Sequence, residues 1–320
     1  MYDMIGDIHG CAKELKALLR KMDYAETASG YCHPERKVIF LGDYIDRGPE
    51  IVETLKIVRT MVRGDHAIAL MGNHEYNFIC MHTQTDEGHP YRAHSTKNLQ
   101  QIQQTLSQLK KAGERIDALV EWMTSLPLAF ESPELRCVHA CWEGASINFL
   151  RSQLGPSFNL TQSFLEASAP NLQSGRKTTE YQVIETVLKG PEIELPNGLS
   201  YEDKDGHIRK SARMKWWINP NTAKMPHQTI FSEPFEGNLK LIKEIDSKWD
   251  NTMSKKETGT YGPDQPPVFF GHYWLTPPLK IQSANAICLD SSAIRSGVLT
   301  AYRFHGEKSL TKDHLVSAAG

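Results

Sequence analysis

Three short apolar runs in the first 75 residues each stop at a glycine that opens a polar motif, and this recurrence narrows the possible folds more than any other feature. Met1 to Gly6 reads as a short strand. Lys37-Val38-Ile39-Phe40-Leu41 is halted by Gly42, and His66-Ala67-Ile68-Ala69-Leu70-Met71 by Gly72. Apolar runs of this kind suit strands buried on both faces. Between them, Cys11, Leu15, Leu18, Leu19 and Met22 recur at helical spacing, as do Ile51, Leu55, Val58 and Met61 after Pro49. Strand alternating with helix predicts an α/β fold. Ligands in such sheets gather beyond the carboxyl ends of the strands, so the three motifs are expected to meet at one rim.

The first motif is Gly6-Asp7-Ile8-His9-Gly10. Side chains alternate along a strand, so Asp7 and His9 share a direction if the strand continues, and a carboxylate with an imidazole can hold one metal ion. Taken alone, an Asp and a His in a surface turn is the commoner meaning. The second is Gly42-Asp43-Tyr44-Ile45-Asp46-Arg47-Gly48. Asp43 directly follows a buried strand, where a charge is costly unless paired or bound to metal. Its two oxygens allow it to bridge two ions, and Arg47 offers a planar fork matched to phosphate. An Asp–Arg ion pair closing a turn is the structural alternative. The third is Gly72-Asn73-His74-Glu75. Asn73 can ligate through its side-chain oxygen, and His74 titrates near neutral pH as a general acid must. An ordinary helix cap would use the same residues.

Together, in this order and all at strand ends, the motifs resemble those of the calcineurin-like metallophosphoesterase superfamily, within it the phosphoprotein phosphatase branch. That branch carries Gly-Asp-x-His-Gly, Gly-Asp-x-x-Asp-Arg-Gly and Gly-Asn-His-Glu. The resemblance implies a four-layer α/β/β/α sandwich with mixed sheets and a dinuclear metal site at strand carboxyl ends. It also implies two more strand-end histidines. His139 closes Leu135-Arg136-Cys137-Val138, and His272 follows Pro267-Val268-Phe269-Phe270-Gly271. His139 is followed by Ala140-Cys141-Trp142 where the branch usually has glycines, a departure that bears on how substrate approaches. The stretch Cys288-Leu289-Asp290-Ser291-Ser292 with Leu299-Thr300-Ala301 is similar to the closing strands of the branch. The other histidines, among them His305 and His314, read as surface or structural.

By the same resemblance, Asp7, His9 and Asp43 hold a first divalent ion, and Asp43, Asn73, His139 and His272 a second. A bridging hydroxide then attacks phosphorus, Arg47 neutralises phosphoryl charge, and His74, oriented by Asp46, protonates the leaving group. Arg213 is the candidate second phosphate-binding arginine, ahead of Arg209; an exposed hairpin arginine is its structural alternative. Oxygen and nitrogen donors without thiolate favour manganese as the expected ion, with iron or zinc compatible.

The expected activity is hydrolysis of phosphomonoesters, as in phosphoprotein phosphatases, with a phosphoprotein or small phosphoester as substrate. Asp46-Arg47 points that way. Gly10-Cys11, Glu14-Leu15 and Cys288-Leu289-Asp290 are instead similar to diadenosine tetraphosphate hydrolases, so a dinucleoside polyphosphate is the alternative substrate. A nuclease on the same fold is disfavoured by a net charge of −2 and the absence of a basic stripe. A non-catalytic scaffold would be expected to have lost ligands. A cysteine-based phosphatase needs Cys-x5-Arg, and no cysteine has arginine in that place.

The 320 residues are expected to form a single domain, with about 142–266 as an insertion or cap within it, because the strand–helix pattern weakens there. Cysteines without Cys-x-x-Cys spacing suit reduced thiols. No basic segment followed by an apolar stretch opens the chain and no run approaches membrane-spanning length, so a cytoplasmic protein with no membrane partner is expected.

Overall fold

The computed structural model describes residues 1–172, 177–202, 208–218, 230, 238–248 and 261–320. The turn read at Asp203-Lys204-Asp205-Gly206, and the histidines His207 and His227, lie outside the described residues.

Successive residues of the strands belong to two different cores, and that alternation produces the layers. Met4, Ile39, Cys137, Phe269 and Ile287 lie in one buried cluster together with Leu289, Tyr302 and Phe304. Their chain neighbours Ile5, Val38, Phe40, Val138, Phe270 and Cys288 lie in a second cluster that includes helix residues. A strand places consecutive side chains on opposite faces, so the first cluster fills the space between two sheets and the second fills the space between sheet and helices. The result is an α/β/β/α sandwich, as the sequence led us to expect.

One sheet has five strands in the order Leu315–Ala319, Val298–Phe304, Tyr2–Ile5, Lys37–Phe40, Ala67–Ala69. The last three run parallel, and Val298–Phe304 pairs antiparallel to Tyr2–Ile5. The other sheet orders Ala286–Cys288, Val268–Phe270, Arg136–Val138 and Ala129–Glu131, the first three parallel and the last antiparallel. The parallel strands of each sheet send their carboxyl ends to one rim.

Helices Ala12–Lys21 and Ile51–Arg63 bury Leu15, Leu18, Leu19, Ile51, Leu55, Val58 and Met61 at the spacing read from sequence. The amphipathic stretch from about Ser95 to Met123, rich in Gln and Leu, forms two helices, Thr96–Ala112 and Ile116–Thr124. The break falls at Gly113, whose φ of 71° is left-handed and ends the first helix. The weakly patterned middle also contains helices Gly144–Leu154, Gln162–Ser168 and Thr179–Lys189. Ile147, Leu150, Val183, Ile184 and Val187 from these helices share the main core. Ile193, Leu195, Met214, Ile230, Leu241 and Ile245 form a separate small cluster. All six cysteines are free thiols, five of them buried. Among the described residues no helix is long and apolar enough to cross a membrane.

Candidate metal centre

The first strand ends at Ile5, before Asp7, so the strand alternation expected to align Asp7 and His9 does not extend to them. The backbone turns instead: the Ile8 and His9 amides both donate to the Asp43 carbonyl, at 3.1 and 2.8 Å. His9, Asp43, Asp46, Arg47, His272 and Trp274 all have left-handed φ between 46° and 75°. Such conformations cost about 1–3 kcal/mol each for residues with a side chain and persist where surrounding structure enforces them. Their concentration in three loops at one rim makes that rim the candidate functional site.

Asp43 is the hub. Its Oδ2 lies 3.5 Å from His9 Nε2, 3.5 Å from His139 Nε2 and 3.9 Å from His74 Nε2. Its Oδ1 accepts the His74 amide at 3.1 Å. Asn73 Oδ1 sits between His139 Nε2 at 3.0 Å and His272 Nδ1 at 2.8 Å. Both Asp7 carboxylate oxygens are 3.1 Å from the His272 amide. Two glycines make these approaches possible. A Cβ on Gly72 would meet Asp43 Oδ1 at 2.2 Å, and one on Gly271 would meet Asp7 Oδ1 at 2.0 Å.

Glu75 holds the frame, a role the sequence reading did not give it. Its carboxylate accepts the amides of Gly72, Asp43 and Tyr44 at 2.8–3.0 Å, tying the second motif to the third. Burial, then the negative charge of Asp43, push the Glu75 carboxyl up to about 7.

The donor set fits divalent cations. His9 Nδ1 and His139 Nδ1 each lie 2.8 Å from a backbone carbonyl, of Ile45 and Leu41. A proton held there leaves each Nε2 lone pair free to ligate, the usual arrangement behind metal-bound histidine. His272 Nε2 is buried without a hydrogen-bond partner. Asp7, Asp43 and Asp290 are three carboxylates at most 2% exposed. Burial, then Asp290 and Asp43, raise Asp7 well above the carboxylate range. Burial acts the same way on Asp43, but His139, His74 and His9 hold its carboxyl below that range. Burial and the His74 charge push His9 down to about 3, a neutral imidazole ready to donate to a cation. Such a nest of buried carboxylates is stabilised by positive charge of the kind a metal supplies. His9, Asp43 and His74 form one group with donors within 4.8 Å of one another, and Asp43, His139 and His272 form another.

His74 differs from the other imidazoles. Its Nδ1 is 2.5 Å from Asp46 Oδ2, and Asp46 is itself fixed by Thr105, whose hydroxyl donates to Oδ1 at 2.5 Å. Burial alone would lower the His74 pKa; the Asp43 charge and the Asp46 hydrogen bond overcome it and raise it. Thr105 comes from the Thr96–Ala112 helix and had no signal in the motifs.

Arg47 stands exposed at the mouth, its guanidinium 4.1 Å from the Trp274 ring centroid. On the same indole rests Arg295, at 5.0 Å. Asp290 pins this wall by accepting the Trp274 and Ser292 amides at 2.7 and 2.9 Å. The sequence reading assigned no role to Asp290, Trp274 or Arg295. The signal for Asp290 was present: it closes the apolar run Ala286–Leu289, as Asp7 and Asp43 close theirs. Arg213 lies on the Ser211–Arg213 strand, 3.7 Å from Glu192, and its charge, after burial, helps to lower the His272 pKa. Arg209 is exposed. Trp216 and Trp217 are core residues, the first donating to the Ala140 carbonyl at 3.0 Å beneath His139.

An α/β/β/α sandwich with carboxylates, imidazoles and a carboxamide converging on a buried centre at one rim is the architecture of a metal-dependent phosphoesterase. The chain belongs to the calcineurin-like phosphoesterase family, whose sequence model matches residues 3–272. It is 29% identical over 303 residues to a symmetrical bis(5'-nucleosyl)-tetraphosphatase of Janthinobacterium sp. (strain Marseille), covering 93% of this chain and 90% of that one. Over 74 residues it is 40% identical to the asymmetrical bis(5'-nucleosyl)-tetraphosphatase PrpE of Halalkalibacterium halodurans. That match covers 23% of this chain and 30% of the relative, so the chain spans under a third of that relative's length. The crystal structure of a cold-active protein-tyrosine phosphatase from a psychrophilic Shewanella sp. shares the fold. Its TM-score is 0.50 at 14% identity, covering 94% of this chain and 75% of that one. Calcineurin-like phosphoesterases use divalent metals, in agreement with the His/Asp donors gathered here.

Proposed function

We propose that the chain hydrolyses phosphoric esters at this centre, with two divalent ions, manganese by preference and iron or zinc as compatible substitutes. The observation that carries the reading is Asp43, one carboxylate with imidazole nitrogens on three sides. Asp7, His9 and Asp43 would hold one ion; Asp43, Asn73, His139 and His272 would hold the other. Bound there, such ions supply Lewis-acid polarisation of phosphoryl oxygens and lower the pKa of water toward neutrality.

The chain's own residues supply the remainder. Arg47 at the mouth binds and orients the phosphoryl group through its paired N–H donors. His74 keeps Nε2 toward the centre, because Asp46 occupies Nδ1, and delivers a proton from Nε2 to the departing oxygen. The same Asp46 contact favours the charged form of His74 at neutral pH. Arg213 remains a candidate second phosphate contact. We read the chain as one cytoplasmic domain with an insertion. The small cluster around Ile193 and Ile245 is its cap-like part, apart from the main core.

For substrate, we propose a phosphomonoester, with a dinucleoside polyphosphate as the second reading. The second is favoured by Arg295, which sets another guanidinium on the indole that carries Arg47. A monoester has no further phosphate to meet it. The names of the relatives point the same way. An aryl phosphate, a phosphopeptide, diadenosine tetraphosphate and a cyclic nucleotide, each with manganese, zinc or magnesium, form the test panel. The reaction class requires metal-dependent hydrolysis of at least one, read as product formed; no hydrolysis of any with any metal contradicts it. On the second reading, Arg295→Ala raises the KM for diadenosine tetraphosphate roughly tenfold, the worth of one charge-assisted contact, and moves that for the aryl phosphate far less. An equal change in both contradicts the role of Arg295 in selection.

A further inference from the structure

A second, separate cluster of metal-ligating side chains stands at the opposite end of the five-stranded sheet. Tyr2 pairs with Phe304 and Ile5 with Ala301, so the Val298–Phe304 strand begins beside the candidate metal centre and ends away from it. His305 follows that strand, and His314 immediately precedes the Leu315–Ala319 strand, which pairs back along it with Tyr302 opposite Leu315. The hairpin therefore brings two histidines, both read from sequence as surface or structural, to its feet. Their ring centroids are 4.5 Å apart. Glu307 lies with them: its Oε1 is 2.7 Å from His314 Nδ1, and its Oε2 accepts the His305 amide at 2.8 Å. Donor atoms of His305, Glu307 and His314 all lie within 4.8 Å of one another.

We propose that His305, Glu307 and His314 form a peripheral site for a zinc-like divalent cation, independent of the candidate catalytic centre. Two imidazoles and one carboxylate are a borderline donor set suited to zinc, with the fourth position left to water. Zn–N and Zn–O bonds of about 2.0–2.1 Å place tetrahedral donors about 3.3 Å apart. The Glu307–His314 pair is already closer than that, and exposed His305 needs only a side-chain adjustment to close on them. The cation takes the place of the proton between His314 Nδ1 and Glu307, and a neutral imidazole then carries its proton on Nε2. Glu307 is held for this by a supporting residue: the buried Tyr302 hydroxyl donates to Oε1 at 2.5 Å and accepts the Thr311 amide at 3.0 Å. Partners of this kind behind a ligand typically change metal affinity by about 10–100-fold. A cation here would clamp the loop that joins the edge strand to its neighbour.

The test is zinc binding by the full chain, stripped of metal and dialysed against zinc chloride alone, with zinc per chain measured by atomic emission. Parent protein should bind one zinc more than His305→Ala and one more than His314→Ala. Both variants should keep the parent's manganese-supported turnover, since neither residue is near the candidate centre. Tyr302→Phe should keep the stoichiometry but weaken that one zinc by about 10–100-fold. His305→Ala removes only an exposed ring, so it separates loss of the site from loss of the fold. Equal zinc content in parent and His305→Ala overturns the proposal, as does a simultaneous loss of turnover with the zinc.

Discussion

Asp43→Ala protein should retain neither active-centre ion and should turn over an aryl phosphate at least about a thousandfold more slowly than its parent. The size of the effect follows from position. Asp43 Oδ2 faces His9, His74 and His139 at once, so its removal takes a shared oxygen from both proposed ion sites. It also removes the charge that, against burial, helps to keep His74 protonated. Metal content and turnover should fall together. Thermal melting of the stripped proteins gives the control, because Glu75 still ties the Gly72 and Tyr44 amides and should preserve the frame. An Asp43→Ala protein with normal metal content and turnover would remove the basis of the ligand assignment.

His74→Asn should behave differently: both ions stay bound while turnover falls. The His74 ring comes to 3.9 Å from Asp43 and is fixed chiefly by Asp46, so its expected work is proton delivery rather than ligation. General acid catalysis contributes about 10²–10⁴-fold when the leaving group is poor. An alkyl phosphate should therefore lose that much in kcat, and a nitrophenyl phosphate, whose leaving oxygen needs no proton, far less. Equal losses on both substrates would make His74 a positioning residue, and unchanged turnover on the alkyl ester would exclude it as the acid.

The rim was legible in sequence because each element of it obeys a local rule. A strand buried on both faces must be apolar, a glycine must follow where a side chain would strike the neighbouring loop, and the ligand stands next to it. Asp7, Asp43, Asn73 and His272 satisfy that rule, and His139 follows its apolar strand directly without a glycine. Asp290, like His139, closes an apolar strand with no glycine before it, so its place is less marked in the sequence. Thr105 and Arg295 could not be read this way. Thr105 meets Asp46 across 59 residues, and Arg295 reaches Trp274 from a short helix, Ala293–Ser296, with no pattern of its own. The alternation expected to align Asp7 and His9 does not apply: the strand ends two residues before Asp7, and His9 is left-handed.

In the middle of the chain, Val183, Ile184, Val187 and Leu188 form a stripe that helical spacing does reveal, and they join the main core. The hairpin pairing Ser211–Arg213 with Glu192–Glu194 offers only short runs, and its burial is set by tertiary contact instead of local pattern. The proposed reading gives substrate choice to this part and to Arg295, neither of which carries a local pattern of its own.

The most direct measurement of the central claim is a titration of chelator-stripped protein with manganese, following bound ion and aryl phosphate hydrolysis in the same sample. The account predicts no turnover in the stripped protein, and full turnover restored as two ions per chain fill the centre. Hydrolysis that continues undiminished in protein shown to be free of metal would contradict it.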